Sequence, residues 1–163
     1  MQELSPIGWA ILPLKKYATF SGRAPRAEYW WFYLLTVVVD GVAKLFDAAI
    51  GDGDTINTIT NLAFLLPMLA VTVRRLHDTN RSGWWALVFF VAVAITGAAA
   101  VFAAMRVAPG SSAAMFAAMI VAILCLLGVG LTLLVFMVQP GTQGPNEYGA
   151  DPYGPSELEE VFA

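Results

Sequence analysis

The chain has 163 residues, 58% of them hydrophobic and only 13% charged. An ordinary soluble domain carries about a quarter charged residues, and here the deficit falls in long uncharged blocks, which excludes a soluble core and describes a polytopic membrane protein. The net charge of −3 gives no basis for nucleic-acid binding, the single histidine excludes multi-histidine metal sites, and the lone Cys125 has no intrachain disulfide partner.

Ile7 to Leu14 is mildly apolar, too short to span, and interrupted by Pro13. Lys15 and Lys16 follow it, the reverse of the charge order in a cleavable signal peptide. Trp9 to Phe20 is therefore expected to lie in the membrane interface as a short helix or irregular segment.

Gly22-Arg23-Ala24-Pro25-Arg26-Ala27-Glu28-Tyr29-Trp30-Trp31 opens the first span, expected from Tyr29 to Ile50. Arginines, then paired tryptophans, then hydrocarbon is the pattern of a chain entering a membrane from the cytoplasm. Pro25 suits the first turn of that helix, where its missing N–H costs nothing. Gly51 to Thr55 is an acidic connection, and its Asp52-Gly53-Asp54 is a solvated turn, too short for a calcium loop. The second span is expected from Ile56 to Val73, with Pro67 as a kink site.

Arg74-Arg75-Leu76-His77-Asp78-Thr79-Asn80-Arg81-Ser82-Gly83-Trp84-Trp85 repeats the arginine-to-tryptophan junction and leads into a third span, Trp84 to Met105. The fourth runs from Ala113 to Val138, long enough to cross a ~30 Å hydrocarbon core at ~1.5 Å per residue. Alanines four apart (Ala99 and Ala103; Ala114, Ala118 and Ala122) suit close helix packing within the chain. Lys15, Lys16, Arg23, Arg26, Arg74, Arg75 and Arg81 flank the spans on one side, and Arg106 alone lies on the other. The positive-inside rule then places both termini and the middle loop in the cytoplasm. Gln139 to Pro155 is a string of turn formers that cannot be helical, free as a linker or anchored through Tyr148 and Tyr153. Residues 156–163 form a short acidic tail expected to be mobile. The expected architecture is all-α: residues 1–155 as one four-helix transmembrane domain, with an interfacial N-terminal segment and a turn-rich cytoplasmic C-terminal segment.

Three separated motifs carry a family resemblance. They are an aromatic followed by Gly-Arg-Ala-x-Arg-x-Glu-Tyr-Trp from Phe20 to Trp30, Arg-Arg-Leu-His-Asp with Arg-Ser-Gly-Trp-Trp from Arg74 to Trp85, and Pro-Gly-Thr-x-Gly-Pro-Asn-x-Tyr-Gly-x-Asp-Pro from Pro140 to Pro152. Together they resemble domain-of-unknown-function family 805, the small bacterial inner-membrane proteins of the YhaH type, over roughly Trp9 to Pro155. The resemblance implies an integral protein of the bacterial cytoplasmic membrane and supplies no catalytic residue. Asn80 stands where the loop often has glycine, and Glu147 where the tail often has a basic residue.

Two polar groups are candidate sites. The first is cytoplasmic: Arg23, Arg26, Glu28, Arg74, Arg75, His77, Asp78 and Arg81. Topology needs positive charge but does not call for arginine over lysine, nor for acids among the arginines. Glu28 and Asp78 can bridge the two junctions, with an Arg74–Asp78 pair along the helix side, or the arginines can bind phospholipid headgroups or an acidic partner. His77-Asp78 lacks the further histidines of a metal-dependent phosphohydrolase. The second group is Asp40, Lys44, Asn57 and Asn61, inside the first two spans. Charges at that depth either line an aqueous path or neutralise each other. Mutual neutralisation is preferred, with Asn57 and Asn61 bonding to the pair and Asp47 reaching the outer surface.

The function expected is that of a non-enzymatic scaffold or accessory protein that uses no cofactor or metal. It would engage membrane lipids, another membrane protein or itself through its arginine-rich face. A small transporter or channel using the Asp40/Lys44 face is the alternative.

Overall fold

The computed structural model describes residues 4–51, 53–106 and 112–154. Asp52, most of the expected Arg106–Ser112 connection and the acidic C-terminal tail lie outside the described residues. Among the described residues the regular secondary structure is all helical, apart from one isolated bridge, Asn146 with Gly149. The helices are α1 (Pro6–Lys15), α2 (Arg26–Ile50), α3 (Thr55–Asp78), α4 (Trp84–Arg106) and α5 (Ser112–Val138). Each expected span falls inside one of the last four. Among the described residues two segments are long and apolar enough to cross a membrane by length and composition, Thr55–Asp78 and Met119–Val138. The chain forms two compact units, residues 4–83 together with 140–154, and the hairpin Trp84–Gln139.

In the first unit α2 and α3 are antiparallel and α1 packs against both. Ser5 caps α1 by accepting from the Gly8 N–H at 3.2 Å, and the helix continues through Pro13. Phe32 and Val71, both fully buried, join Ala24, Leu14, Leu35, Phe64 and Met68 in the core, with the Phe32 and Phe64 rings stacked at 5.9 Å.

α3 changes character at Pro67. Before it, Ile59, Leu62, Leu65 and Leu66 are exposed; from it onward Pro67, Ala70, Val71, Arg74, Arg75, Leu76 and Asp78 are buried. Pro67 has no N–H to give the Ala63 carbonyl four residues earlier. The Tyr17 hydroxyl supplies it instead, donating to the Ala63 oxygen at 2.6 Å. Tyr17→Phe removes that donor and leaves the carbonyl unmatched. A loss of about 1 kcal/mol is expected in thermal unfolding of the purified protein, while Tyr17→Trp, which cannot place its N–H there, does no better.

Asp47 does not reach the outer surface as its position in the sequence suggests. It is buried, and its carboxylate accepts from the N–H groups of Ile56 and Asn57 at 2.9 and 2.8 Å. It thereby caps α3, whose own N-cap residue Asp54 makes no side-chain capping bond. The turn that permits this starts at Gly51, which is left-handed (φ 75°) and returns its N–H to the Asp47 carbonyl.

The second unit is the α4–α5 hairpin, with an edge-to-face contact between Trp85 and Phe136. Ala99 and Ala103 on α4, with Ala117 and Ala122 on α5, line an open apolar groove of about 440 Å3.

Candidate functional site

The polar end of α3, beyond the apolar stretch that closes at Val73, is where the first unit concentrates its charge. Asp78 is the last residue of the helix. Its Oδ1 accepts from Arg23 Nε at 3.0 Å, and its Oδ2 accepts from Arg75 Nη1 in a still closer contact. Arg74 turns the other way. Its Nη2 donates to Glu28 Oε1 at 2.6 Å, and its Nη1 donates to the Thr19 carbonyl at 2.8 Å. The two junctions thus exchange partners: the arginine of the first holds the acid of the second, and the arginine of the second holds the acid of the first. The expected Arg74–Asp78 pair is not formed. Three residues of helix bring Arg75 to Asp78, and Arg74 instead crosses to α2.

All of these side chains are withdrawn from solvent, at 4% exposure or less. Burial pushes the Glu28 and Asp78 carboxyls up, and the guanidiniums opposite pull the other way. Burial likewise lowers Arg74 and Arg75, opposed by the carboxylates they face.

The turn-rich C-terminal segment completes the arrangement. Arg23 Nη1 and Nη2 donate to the carbonyls of Gly144 and Thr142 at 2.6 and 2.5 Å. A helix end leaves its last carbonyls without intrahelical donors. Here other parts of the chain supply them. Ala24 N–H donates to the Arg74 carbonyl, Arg81 N–H to Leu76, Asn146 Nδ2 to His77, and Thr142 N–H to Asp78. Gly141 is required at its position, because a Cβ there would overlap the Asp78 carboxylate that two arginines pin.

His77 is half-buried, with its Nδ1–H directed at the Gly22 carbonyl at 3.1 Å and its ring stacked on Tyr148 at 4.0 Å. Tyr148 thus docks the tail onto the end of α3. Burial holds the imidazole below its usual value, against the Gly22 bond. A base depressed in the fold stays neutral there, so its contribution is complete above the unfolded pKa of about 6.5 and is lost as pH falls below it. Acidification from about pH 7.5 to 5.5 is therefore expected to loosen the 140–154 segment, read as faster protease cleavage within it. His77→Gln, which keeps a donor for Gly22 but does not titrate, flattens that dependence.

Arg26 is exposed and borders a cleft of about 240 Å3 that it shares with Arg23, Asp78, Gln143, Asp151 and Tyr153. Arg81 is half-buried and uses its backbone N–H in closing the end of α3. Asp151 orders the tail by accepting from the N–H groups of Gly144 and Tyr153, both at 2.9 Å. Those two bonds hold its carboxyl below the ordinary range.

The second polar group is distant from the first along α2 and α3. Lys44 Nζ donates to Asp40 Oδ2 at 2.8 Å, while Asn57 and Asn61 donate to Asp40 Oδ1 at 2.5 and 3.2 Å. Asp47 belongs to the α3 cap and takes no part. Thr142, Asn146, Asp151 and Tyr17 all do work that inspection of the sequence did not assign. The signal available was chemical: asparagine, aspartate and threonine in a turn-rich run can bond backbone groups in place of secondary structure.

Comparison with known proteins gives a consistent picture. The family described as "Protein of unknown function (DUF805)" matches residues 17–150. Inner membrane protein YhaI of Escherichia coli (strain K12) is 36% identical over 146 residues, covering 88% of this chain and 94% of YhaI. Inner membrane protein YhaH of the same strain is 34% identical over 150 residues, covering 88% of this chain and 95% of YhaH. The uncharacterized protein YiiR is 33% identical over 143 residues. No solved structure matches. The matched region contains both arginine-to-tryptophan junctions and most of the docked tail, and the chain belongs to the DUF805 family.

Proposed function

We propose that this chain is a multi-pass protein of the bacterial cytoplasmic membrane, with four spans and both termini in the cytoplasm, that serves as a non-enzymatic scaffold or accessory protein. The inner-membrane relatives support the location. The partner exchange between the junctions supports the role: Arg23 holds Asp78 and Arg74 holds Glu28 in the protein interior. Carboxylates and guanidiniums paired with one another in this way form a clasp. They fix the ends of α2 and α3 and seat the tail.

The clasp also narrows which basic residues meet the membrane surface. The headgroup contact expected of the arginine-rich face falls to the exposed Lys15 and Arg26, and not to the buried Arg74 and Arg75. Asp40 and Lys44 satisfy each other, which favours neutralisation over an ion path.

A reporter active only in the periplasm tests the topology. Fused after Gly83 it should be inactive, and fused after Gly53 active; the opposite pattern overturns the arrangement. Native mass spectrometry tests the surface, with less anionic phospholipid retained by the Lys15→Gln/Arg26→Gln protein than by the unsubstituted one. Proton or ion flux through liposomes holding the purified chain, abolished by Asp40→Asn, would replace the scaffold reading with a transporter.

A further inference from the structure

The cleft of about 240 Å3 beside the clasp is built by two separate stretches of chain. Arg23, Arg26 and Asp78 come from the helix junctions, and Gln143, Asp151 and Tyr153 from the tail. All six belong to the first compact unit. The floor is polar but committed. The Arg23 and Asp78 side chains are buried against each other, and Arg23 also holds two tail carbonyls. The rim is different. Arg26, Gln143 and Tyr153 are exposed there, and Asp151 is half-buried. The Asp151 carboxylate accepts from backbone N–H groups and is in no salt bridge among the described residues. Arg26 carries five N–H donors in a planar fork, so it can take a phosphate beside any contact it already makes.

Charge selects the ligand. A simple anion drawn to Arg26 meets the Asp151 carboxylate, and a simple cation drawn to Asp151 meets Arg23 and Arg26. A small molecule that carries both signs satisfies both walls. Size narrows the choice: the cleft is smaller than the roughly 300–1,000 Å3 of pockets for drug-sized ligands, and suits a headgroup. Position points to the source. Arg26 precedes Trp30 by four residues, about 6 Å along α2, and interfacial tryptophans lie at the level of lipid headgroups. If α2 spans the bilayer, as proposed above, the cleft lies at the edge of that layer.

We infer, building on the headgroup contact proposed for Arg26, that the cleft seats a phosphoethanolamine group, with its phosphate at Arg26 and its ammonium at Asp151. The guanidinium meets the phosphate oxygens two at a time, at the helix end that favours negative charge. The primary ammonium gives N–H donors to the lone pairs that the backbone bonds leave open on the carboxylate. Arg26 belongs to α2 and Asp151 to the tail. The bound group therefore ties one to the other.

The test uses the full chain, purified in a glycoside detergent, stripped of lipid, and offered phosphatidylethanolamine, phosphatidylglycerol or phosphatidylcholine with the same acyl chains. Native mass spectrometry should show phosphatidylethanolamine held about tenfold more tightly than the other two, which lack either the ammonium or its N–H donors. It should also slow protease cleavage between Thr142 and Gly154, where phosphatidylglycerol does not. Asp151→Asn should erase the preference without lowering phosphatidylglycerol retention. Should that substitution loosen the tail by itself, the lipid series on the unsubstituted chain decides. Equal retention of the three lipids, or phosphatidylglycerol in the lead, overturns the inference. If Lys15→Gln/Arg26→Gln still sheds anionic lipid in that case, the headgroup contact itself stands. Soluble glycerophosphoethanolamine separates the sources: tail protection by it and not by the lipid keeps the chemistry and assigns the cleft to a free phosphoethanolamine ester. Equal protection by glycine, a zwitterion without phosphate, overturns the assignment.

Discussion

Replacing Arg74 with methionine should destabilise the protein by about 3–5 kcal/mol, the range for removing one member of a buried ion pair. Methionine matches much of the side chain's length, so little of the loss is a cavity. The loss comes from Glu28, which is 1% exposed and left with an uncompensated charge. Its carboxyl, already pushed up by burial, then loses the guanidinium that opposes that shift. The Thr19 carbonyl loses its donor as well. Thermal or denaturant unfolding in a mild detergent measures the change, read from tryptophan emission. The Arg74→Met/Glu28→Leu double variant should recover much of the loss, because an apolar pair of similar volume avoids the desolvation of both charges. A single-variant loss below about 1 kcal/mol would show that the pair is solvated and the clasp not closed.

Asp78→Ala should be comparably costly, about 3–5 kcal/mol, with a different local signature. It leaves two buried guanidiniums, Arg23 and Arg75, without their carboxylate. Arg23 is also the residue that holds the Thr142 and Gly144 carbonyls. When it reorients toward water, the 140–154 segment should come away from α3. Limited proteolysis reads this directly: cleavage between Thr142 and Gly154 should speed up far more than in Arg74→Met. Asp78→Glu is no rescue, because the Asp78 carboxylate already fills the space beside Gly141 and a longer side chain has no room there. Tail cleavage unchanged from the unsubstituted protein would mean that Asn146 and Tyr148 hold the tail unaided.

Helix positions were legible because long uncharged blocks between arginine–aromatic junctions have one physical solution, and α2 to α5 cover the four expected blocks. That Glu28 and Asp78 need cationic partners was legible too, since acids among arginines call for them, and Arg74, Arg23 and Arg75 supply them. The pairing was not. Arg74 and Asp78 are four apart on one helix, but an exposed pair at that spacing contributes only tenths of a kcal/mol. Tertiary burial decides instead, and it sends Arg74 to Glu28. Asp47 misled for a related reason: at the end of a helix it reads as solvated, but the tight turn at Gly51 brings the open N–H groups of α3 to it. The tail was hardest to read. Glycine and proline declare what backbone angles a segment adopts, not what it lands on, so its contact with the end of α3 left no periodic trace.

That contact also orders events in time. Arg23 and the Thr142 carbonyl it holds are 119 residues apart. At a synthesis rate of 5–20 residues per second, roughly 6–24 s separate their emergence from the ribosome. The Arg74–Glu28 pair, whose members are 46 positions apart, is complete long before. The clasp therefore closes in two stages, the second waiting on a segment made after α5. A nascent chain halted anywhere in the hairpin carries Arg23 with two donors unspent and α3 with an open end. Such a chain differs from the finished one in the polar groups that the completed fold pairs and buries.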